Sequence, residues 1–290
     1  MIIWLKHKNI LFSVILCLII CLSIFTKNTV LPVSAKPTAS LSLPILMYHH
    51  ISPNKSNLGK YVITPEEFES DIIFLKSRGY QTVTVGEILN CIEKGLPFPN
   101  KAVMITFDDG YLSFYEYAYP ILQKHSCKAV LSIIGYYTEL YTKTGERNPS
   151  YAHVTFEDIS KMHLGGLVEI ANHSYDMHNL SRRKGISKKE NENYETHRDI
   201  ISKDILKTQE ILNHNTSFVP YIFTYPFGFH DKESEEIIAS LGFRASFICE
   251  EKVNRIDYST SLLFNLGRFN RASGIDFEKL WNNIEAKMIQ

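Results

Sequence analysis

The hydrophobic pattern of this chain alternates between two periods. Short apolar runs bounded by turn residues recur at Pro44–Ile51, Thr82–Val85, Ala102–Phe107, Lys128–Ile134, Leu167–Asn172, Phe218–Tyr225, Phe243–Cys249 and Leu262–Phe269. Runs of this kind suit strands buried on both faces, as in a parallel sheet. Between them lie segments of helical period. Thr64-Pro65-Glu66-Glu67 opens one: Thr64 caps, Pro65 suits the first turn and Glu67 completes a capping box. Phe68, Ile72 and Leu75 follow at helical spacing, and Gly79 is the stop. Further helices are expected at Ile88–Ile92 (ending near Gly95), about 113–124, from Thr155, within 187–213, at Lys232–Leu241 and after Asp276. The polar stretch 136–153 reads as a loop or lid.

Strand and helix patterns thus alternate seven or eight times with no internal linker. That predicts one parallel β/α domain, and roughly 250 residues is a usual size for a β/α barrel. No repeat of fixed period is present.

Composition and charge add an exported character. Lys6 and Lys8 flank an apolar run from Ile10 to Phe25, and Val33-Ser34-Ala35 is a small-residue cleavage site. Residues 1–35 are expected to be a signal peptide or an N-terminal anchor, 36–43 a Pro/Ser/Ala/Thr linker, and 44–290 the β/α domain. Any membrane contact is expected only through that first segment. Leu16 and Ile20, ahead of Cys17 and Cys21, argue against lipidation. The chain carries 31 basic and 31 acidic residues; without Lys6, Lys8 and Lys27 the remainder has 28 against 31, about −3. No basic block suggests a nucleic-acid partner. Cys91, Cys127 and Cys249 are scattered, without a disulfide framework or a CxxC metal pattern, and read as buried free thiols.

Three clusters fall where expected strands end, which is where α/β folds place their sites. The first is Thr106-Phe107-Asp108-Asp109-Gly110. Adjacent carboxylates repel and need a cation or a shared proton, although Asp-Gly is also plain turn chemistry. The second is Asn172-His173-Ser174-Tyr175-Asp176-Met177-His178. Histidines five apart stand about 140° apart on a helix and on opposite faces of a strand, so the chain must bend if both are to reach one ion. Two imidazoles and one carboxylate leave coordination positions open, as in a catalytic zinc-like site. A second carboxylate beside the ligand can take a proton from water; the spacing leaves open which aspartate does which. The third cluster is Tyr225-Pro226-Phe227-Gly228, a turn that can aim a backbone N–H at a developing oxyanion, with Tyr225, Pro226 and Gly228 as substrate-facing candidates. Tyr48, His49 and His50, at the end of the first strand, are further candidates for lining a site.

In this order the clusters resemble the polysaccharide deacetylases, carbohydrate esterase family 4, over essentially all of the chain after the linker. The resemblance implies a distorted (β/α)7 barrel and metal-dependent removal of N-acetyl groups from an N-acetylglucosamine polymer outside the cell. It implies Asp108 as general base, and Asp109, His173 and His178 as ligands of one divalent ion of the zinc type. It further implies Ser174 as support for the bend and the Phe227 N–H as oxyanion donor. The family's histidine pair is more often four apart; the five-residue spacing here, Met177, and the Tyr-His-His of residues 48–50 look like the branch acting on β-1,6-linked N-acetylglucosamine polymers. Two further departures stand out. Thr224 occupies the place of the family's arginine, with Arg268 a candidate substitute. No histidine follows His230 to serve as the family's late general acid, which leaves water, His49 or His50. Two other readings remain: a weak or inactive carbohydrate-binding module of the same fold, and an exported metal hydrolase acting on peptide or phosphate.

Overall fold

The computed structural model describes residues 40–181, 183–258 and 263–289. The expected signal segment, 1–35, lies outside the described residues. Strands form at the apolar runs: β1 (Ile45–Tyr48), β2 (Gln81–Thr82), β3 (Ala102–Phe107), β4 (Ala129–Ile133), β5 (Val168–Asn172), β6 (Ile222–Thr224), β7 (Ala245–Phe247) and β8 (Phe269–Asn270). They pair in the order β7-β6-β5-β4-β3-β1-β8, all parallel, with β2 a short addition on β3. Leu266, just ahead of β8, bridges Phe247 of β7 in parallel, so the sheet curls round on itself. The architecture is a distorted (β/α)7 barrel.

Strand side chains alternate between two apolar layers, as a period of two requires. Leu46, Ile105, Phe107 and Leu131 join Phe68, Leu75 and Trp281 in one cluster, while Ile45, Met104, Val130 and Ala171 join Phe247 and Leu266 in another. The helices are α1 (Pro65–Ser77), α2 (Val85–Lys94), α3 (Tyr119–His125), α4 (Gly135–Thr144), α5 (Phe156–Leu164), α6 (Tyr194–Thr216), α7 (Lys232–Ser240) and α8 (Phe277–Ile289). The capping box at Thr64 and Glu67 is present in both directions. None of the described helices is long and apolar enough to cross a membrane.

The structure departs from the sequence pattern in several places. Leu41–Leu43, read as linker, is a strand paired antiparallel with Asn254–Ile256; it is apolar on alternate positions and buries both leucines. The first run breaks at His49: β1 stops at Tyr48, and His50–Ile51 pairs instead with Val62–Ile63. Thr84 caps α2 through a second capping box, so Val85 begins a helix rather than ending a strand. The expected lid contains α4, whose mostly polar surface hides its period; Gly145, in a left-handed conformation, ends it. A π-helical turn at Phe114–Ala118 precedes α3.

A buried ion pair ties these layers together behind the barrel mouth. Arg271 Nε and Nη2 lie 2.7 and 3.0 Å from the two carboxylate oxygens of Asp71 on α1, and the Tyr48 hydroxyl donates to the same carboxylate at 3.0 Å. Asp71 and Arg271 are both buried. Asp71→Ala leaves the Arg271 guanidinium unpaired in the interior, and the expected cost is about 3–5 kcal/mol of folding stability, read from denaturant midpoints.

Candidate active site

The ends of β1, β3, β5, β6 and β8 converge on a cavity of about 670 Å³ lined by His49, Tyr61, Asp108, Asp109, Tyr111, His173, His178, Phe227 and Cys249, among others. Asp108 prolongs the β1–β3 pairing through its N–H to the Tyr48 carbonyl, 3.0 Å. The chain then turns through left-handed conformations at Asp109 (φ 69°) and Gly110 (φ 73°). A Cβ at Gly110 would meet Ile133 backbone at 3.1 Å, so glycine is required by both φ and space. This turn points the two carboxylates in different directions.

Asp108 meets Arg268, which is wholly buried: Nη1 lies 2.6 Å from Oδ1 and Nη2 2.8 Å from Oδ2, a bidentate pair. Arg268 also donates to the Ile248 carbonyl and to the Thr106 hydroxyl. Burial pushes the Asp108 carboxyl up, but the Arg268 charge and hydrogen bonds outweigh it and hold the group well below the usual carboxylate range. Arg268 thus makes an ion pair with Asp108 that Thr224 cannot make; the Thr224 hydroxyl meets Ser132 at 2.7 Å.

Asp109 has the opposite environment. Burial and the neighbouring Asp108 charge push its carboxyl up to about 7. Its Oδ1 is buried without a hydrogen-bond partner, 3.7 Å from His173 Nε2 and 3.4 Å from His178 Nε2. His173 is buried, and its Nδ1 lies 2.7 Å from the Thr224 carbonyl. That contact requires the proton on Nδ1 and turns the Nε2 lone pair into the cavity. Burial lowers the His173 imidazole to about 3 and lowers that of His178 as well. Ligand atoms of Asp109, His173 and His178 all lie within 4.8 Å of one another. An orphaned buried carboxylate oxygen facing two imidazole nitrogens that burial keeps neutral is a set of donors that could hold a divalent cation. The residues fit a zinc-type site with open positions.

The bend between the histidines is built by Ser174 (φ 70°), whose N–H donates to Asn172 Oδ1 and whose hydroxyl accepts from Met177 N–H. Asp204 on α6 accepts from the N–H groups of Tyr175 and Asp176, 2.7 and 2.9 Å. Sequence reading missed this clamp; an acid directly before buried Ile205 was its one trace.

Of the third cluster, Phe227 reaches the cavity in a left-handed conformation (φ 58°), its ring 4.0 Å from that of His178. Tyr225 and Pro226 are buried away from it. The Tyr225 ring packs edge-on against Phe223 at 5.2 Å in a core shared with Ile205 and Ile237. Their expected substrate contact is therefore replaced by a supporting role, because the strand's alternation turns Tyr225 toward α6 and α7. Gly228 is absent from the lining too: a Cβ there would meet Cys249 at 2.7 Å. Cys249, expected to be buried, is exposed.

The two histidines after β1 separate. His50 is occupied: Nδ1 meets the Ser113 hydroxyl at 2.5 Å, Nε2 the Ser150 carbonyl at 3.2 Å, and the ring stacks on Tyr111. His49 faces the cavity, with Nε2 4.0 Å from Asp108 Oδ2 and Nδ1 without a partner. Burial pushes its imidazole down to about 4.

Comparison with known proteins places the chain among related sequences and folds. The profile of the family described as polysaccharide deacetylase matches residues 95–246. A poly-beta-1,6-N-acetyl-D-glucosamine N-deacetylase of Staphylococcus aureus (strain MRSA252) is 30% identical over 209 residues, covering 71% of this chain and 68% of its own. The solved structure of IcaB from Ammonifex degensii superposes with a TM-score of 0.67 at 25% identity, covering 86% of this chain and 97% of that one. The Streptococcus pyogenes deacetylase PplD, in complex with acetate, has the same fold, with a TM-score of 0.67 at 22% identity over 85% of this chain and 99% of its own. With more than half the chain matched by the family profile and the barrel shared with solved deacetylases, this chain belongs to the polysaccharide deacetylase family.

Proposed function

We propose that this hydrolase of carbon–nitrogen bonds removes N-acetyl groups from a β-1,6-linked N-acetylglucosamine polymer outside the cell, using one zinc-type ion. The observation that carries the reading is the division between adjacent aspartates: Asp108 locked to Arg268, and Asp109 turned to His173 and His178 with an orphaned oxygen. Asp109, His173 and His178 would hold the ion, which when bound supplies Lewis acidity and acidifies water. The choice of β-1,6-linked polymer rests on similarity to the Staphylococcus aureus enzyme and on the five-residue histidine spacing. Residues 1–35 supply export or anchoring.

The chain's own groups divide the proton work. Asp108, kept ionised by Arg268, accepts a proton from the attacking water. The Phe227 backbone N–H donates to the oxyanion as the acetamide carbon becomes tetrahedral. His49 returns a proton to the departing amine nitrogen: its Nε2 is 4.0 Å from Asp108 and open to the cavity, whereas both nitrogens of His50 are engaged. A neutral imidazole this close to the base receives the proton after attack rather than before it. His49→Ala is expected to lower kcat by about 10²–10³ with little change in KM, checked by initial rates of acetate release. A binding module without turnover has no use for an arginine-locked carboxylate beside the ligand set.

Acetate release from β-1,6-linked polymer, peptidoglycan and chitin oligomers tests the reading. It expects the first to be preferred; release from none of the three overturns it.

A further inference from the structure

A column of aromatic rings leaves the cavity and runs onto the surface of α4 and the loop after it. Tyr111, in the cavity wall, follows Gly110 directly. Its ring lies 4.7 Å from His153, which in turn stacks on Tyr137 at 4.4 Å and on Tyr141 at 5.5 Å. Backbone bonds from Leu112 to Ala152 and from Val154 to Gly110 hold the two segments side by side. His153 is buried with Nδ1 unpartnered, so it serves as the spine beneath the tyrosines. Tyr151, two residues before His153 in the chain, is 46% exposed beside this column, with its hydroxyl on Glu146. Nothing in the metal or proton chemistry uses these rings, although they are continuous with the cavity that does.

We infer that Tyr111, Tyr137, Tyr141 and Tyr151 form a binding track for the polysaccharide strand beyond the residue being deacetylated. This rests on the polymer reading above and deepens it. A cavity of about 670 Å³ takes a ligand of drug-like size, so a polymer bound there continues outside. Tyrosine rings offer flat apolar faces for the C–H faces of successive sugars. The track is tyrosine-rich, with Glu146 and Asn148 beside Tyr151 and His153 stacked against Tyr137 and Tyr141.

Steady-state acetate release from β-1,6-linked N-acetylglucosamine dimers and long polymer, by wild type, Tyr141→Ala, Tyr151→Ala and Tyr141→Phe, tests the track. The alanine variants are expected to raise KM for the long polymer by about fivefold each, from the worth of one aromatic contact. They leave kcat and all dimer kinetics unchanged, and Tyr141→Phe keeps the wild-type KM. Alanine variants with wild-type KM on the polymer, or with equal changes on polymer and dimer, overturn the track while wild-type turnover leaves the functional reading standing. Loss of self-association in the alanine variants with polymer KM unchanged assigns the face to a second copy and likewise overturns it. Wild-type enzyme that releases no acetate from either substrate removes the functional reading and the track with it.

Discussion

Asp108→Asn is expected to leave acetate release at about one part in 10³–10⁴ of the wild-type kcat, with KM nearly unchanged, because the proposed proton acceptor is gone while the cavity keeps its shape. The same change has a second consequence of different origin. Arg268 is wholly buried, and its bidentate partner is Asp108. A neutral amide leaves that guanidinium charge uncompensated, at a cost of about 3–5 kcal/mol in stability. Rate and stability then separate in the double variant Asp108→Asn/Arg268→Met. Removing both charges is expected to restore much of the lost stability, since a hydrophobic replacement of a buried pair is often neutral. Activity stays at the level of Asp108→Asn. Denaturant midpoints and acetate release on the same three preparations check this. Recovery of turnover in the double variant would show that Asp108 served only to neutralise Arg268.

The second large effect concerns the ligand set. His173→Ala removes one of two imidazoles and also the contact that orients it, Nδ1 to the Thr224 carbonyl. Metal content is expected to fall from one ion per chain to about a tenth or less, and acetate release to fall at least about 10²-fold. Chelation of the wild type should reproduce the loss, and added zinc should reverse it. Asp108→Asn should keep its metal and gain nothing from added zinc. The contrast separates a ligand from a base, because the two residue classes fail for different reasons.

The barrel was legible because its strands are buried on both faces and read as apolar runs, and because Thr64 and Asp276 open their helices with strong caps. Short strands at the margins were not legible. Leu41–Leu43 lies beside Pro/Ser-rich sequence, and its partner Asn254–Ile256 is too short and polar at Arg255 to show a period. The loop-or-lid reading of 136–153 missed α4, which packs few apolar side chains and shows mainly tyrosine and charge, while 145–153 is non-helical. In the candidate site, motif spacing singled out Asp108, Asp109, His173, His178 and Phe227, which line one cavity because each follows a strand end. It misjudged Tyr225, whose aromatic ring suits a cavity wall and a core equally; strand alternation decides for the core. Long-range pairings such as Arg268 with Asp108, 160 positions apart, have no local signature. Arg268 could be suggested only from what residue 224 lacks. The clamp of Asp204 on the histidine loop had no motif at all.

The central claim is a metal-dependent N-deacetylation, and its most direct test is a product balance on β-1,6-linked N-acetylglucosamine oligomers. The metal-loaded protein should release acetate and free amines in a one-to-one ratio, without new reducing ends. The chelated chain should release neither until zinc is returned. Equal acetate release before and after complete metal removal, or cleavage of the glycan in place of deacetylation, would contradict the account.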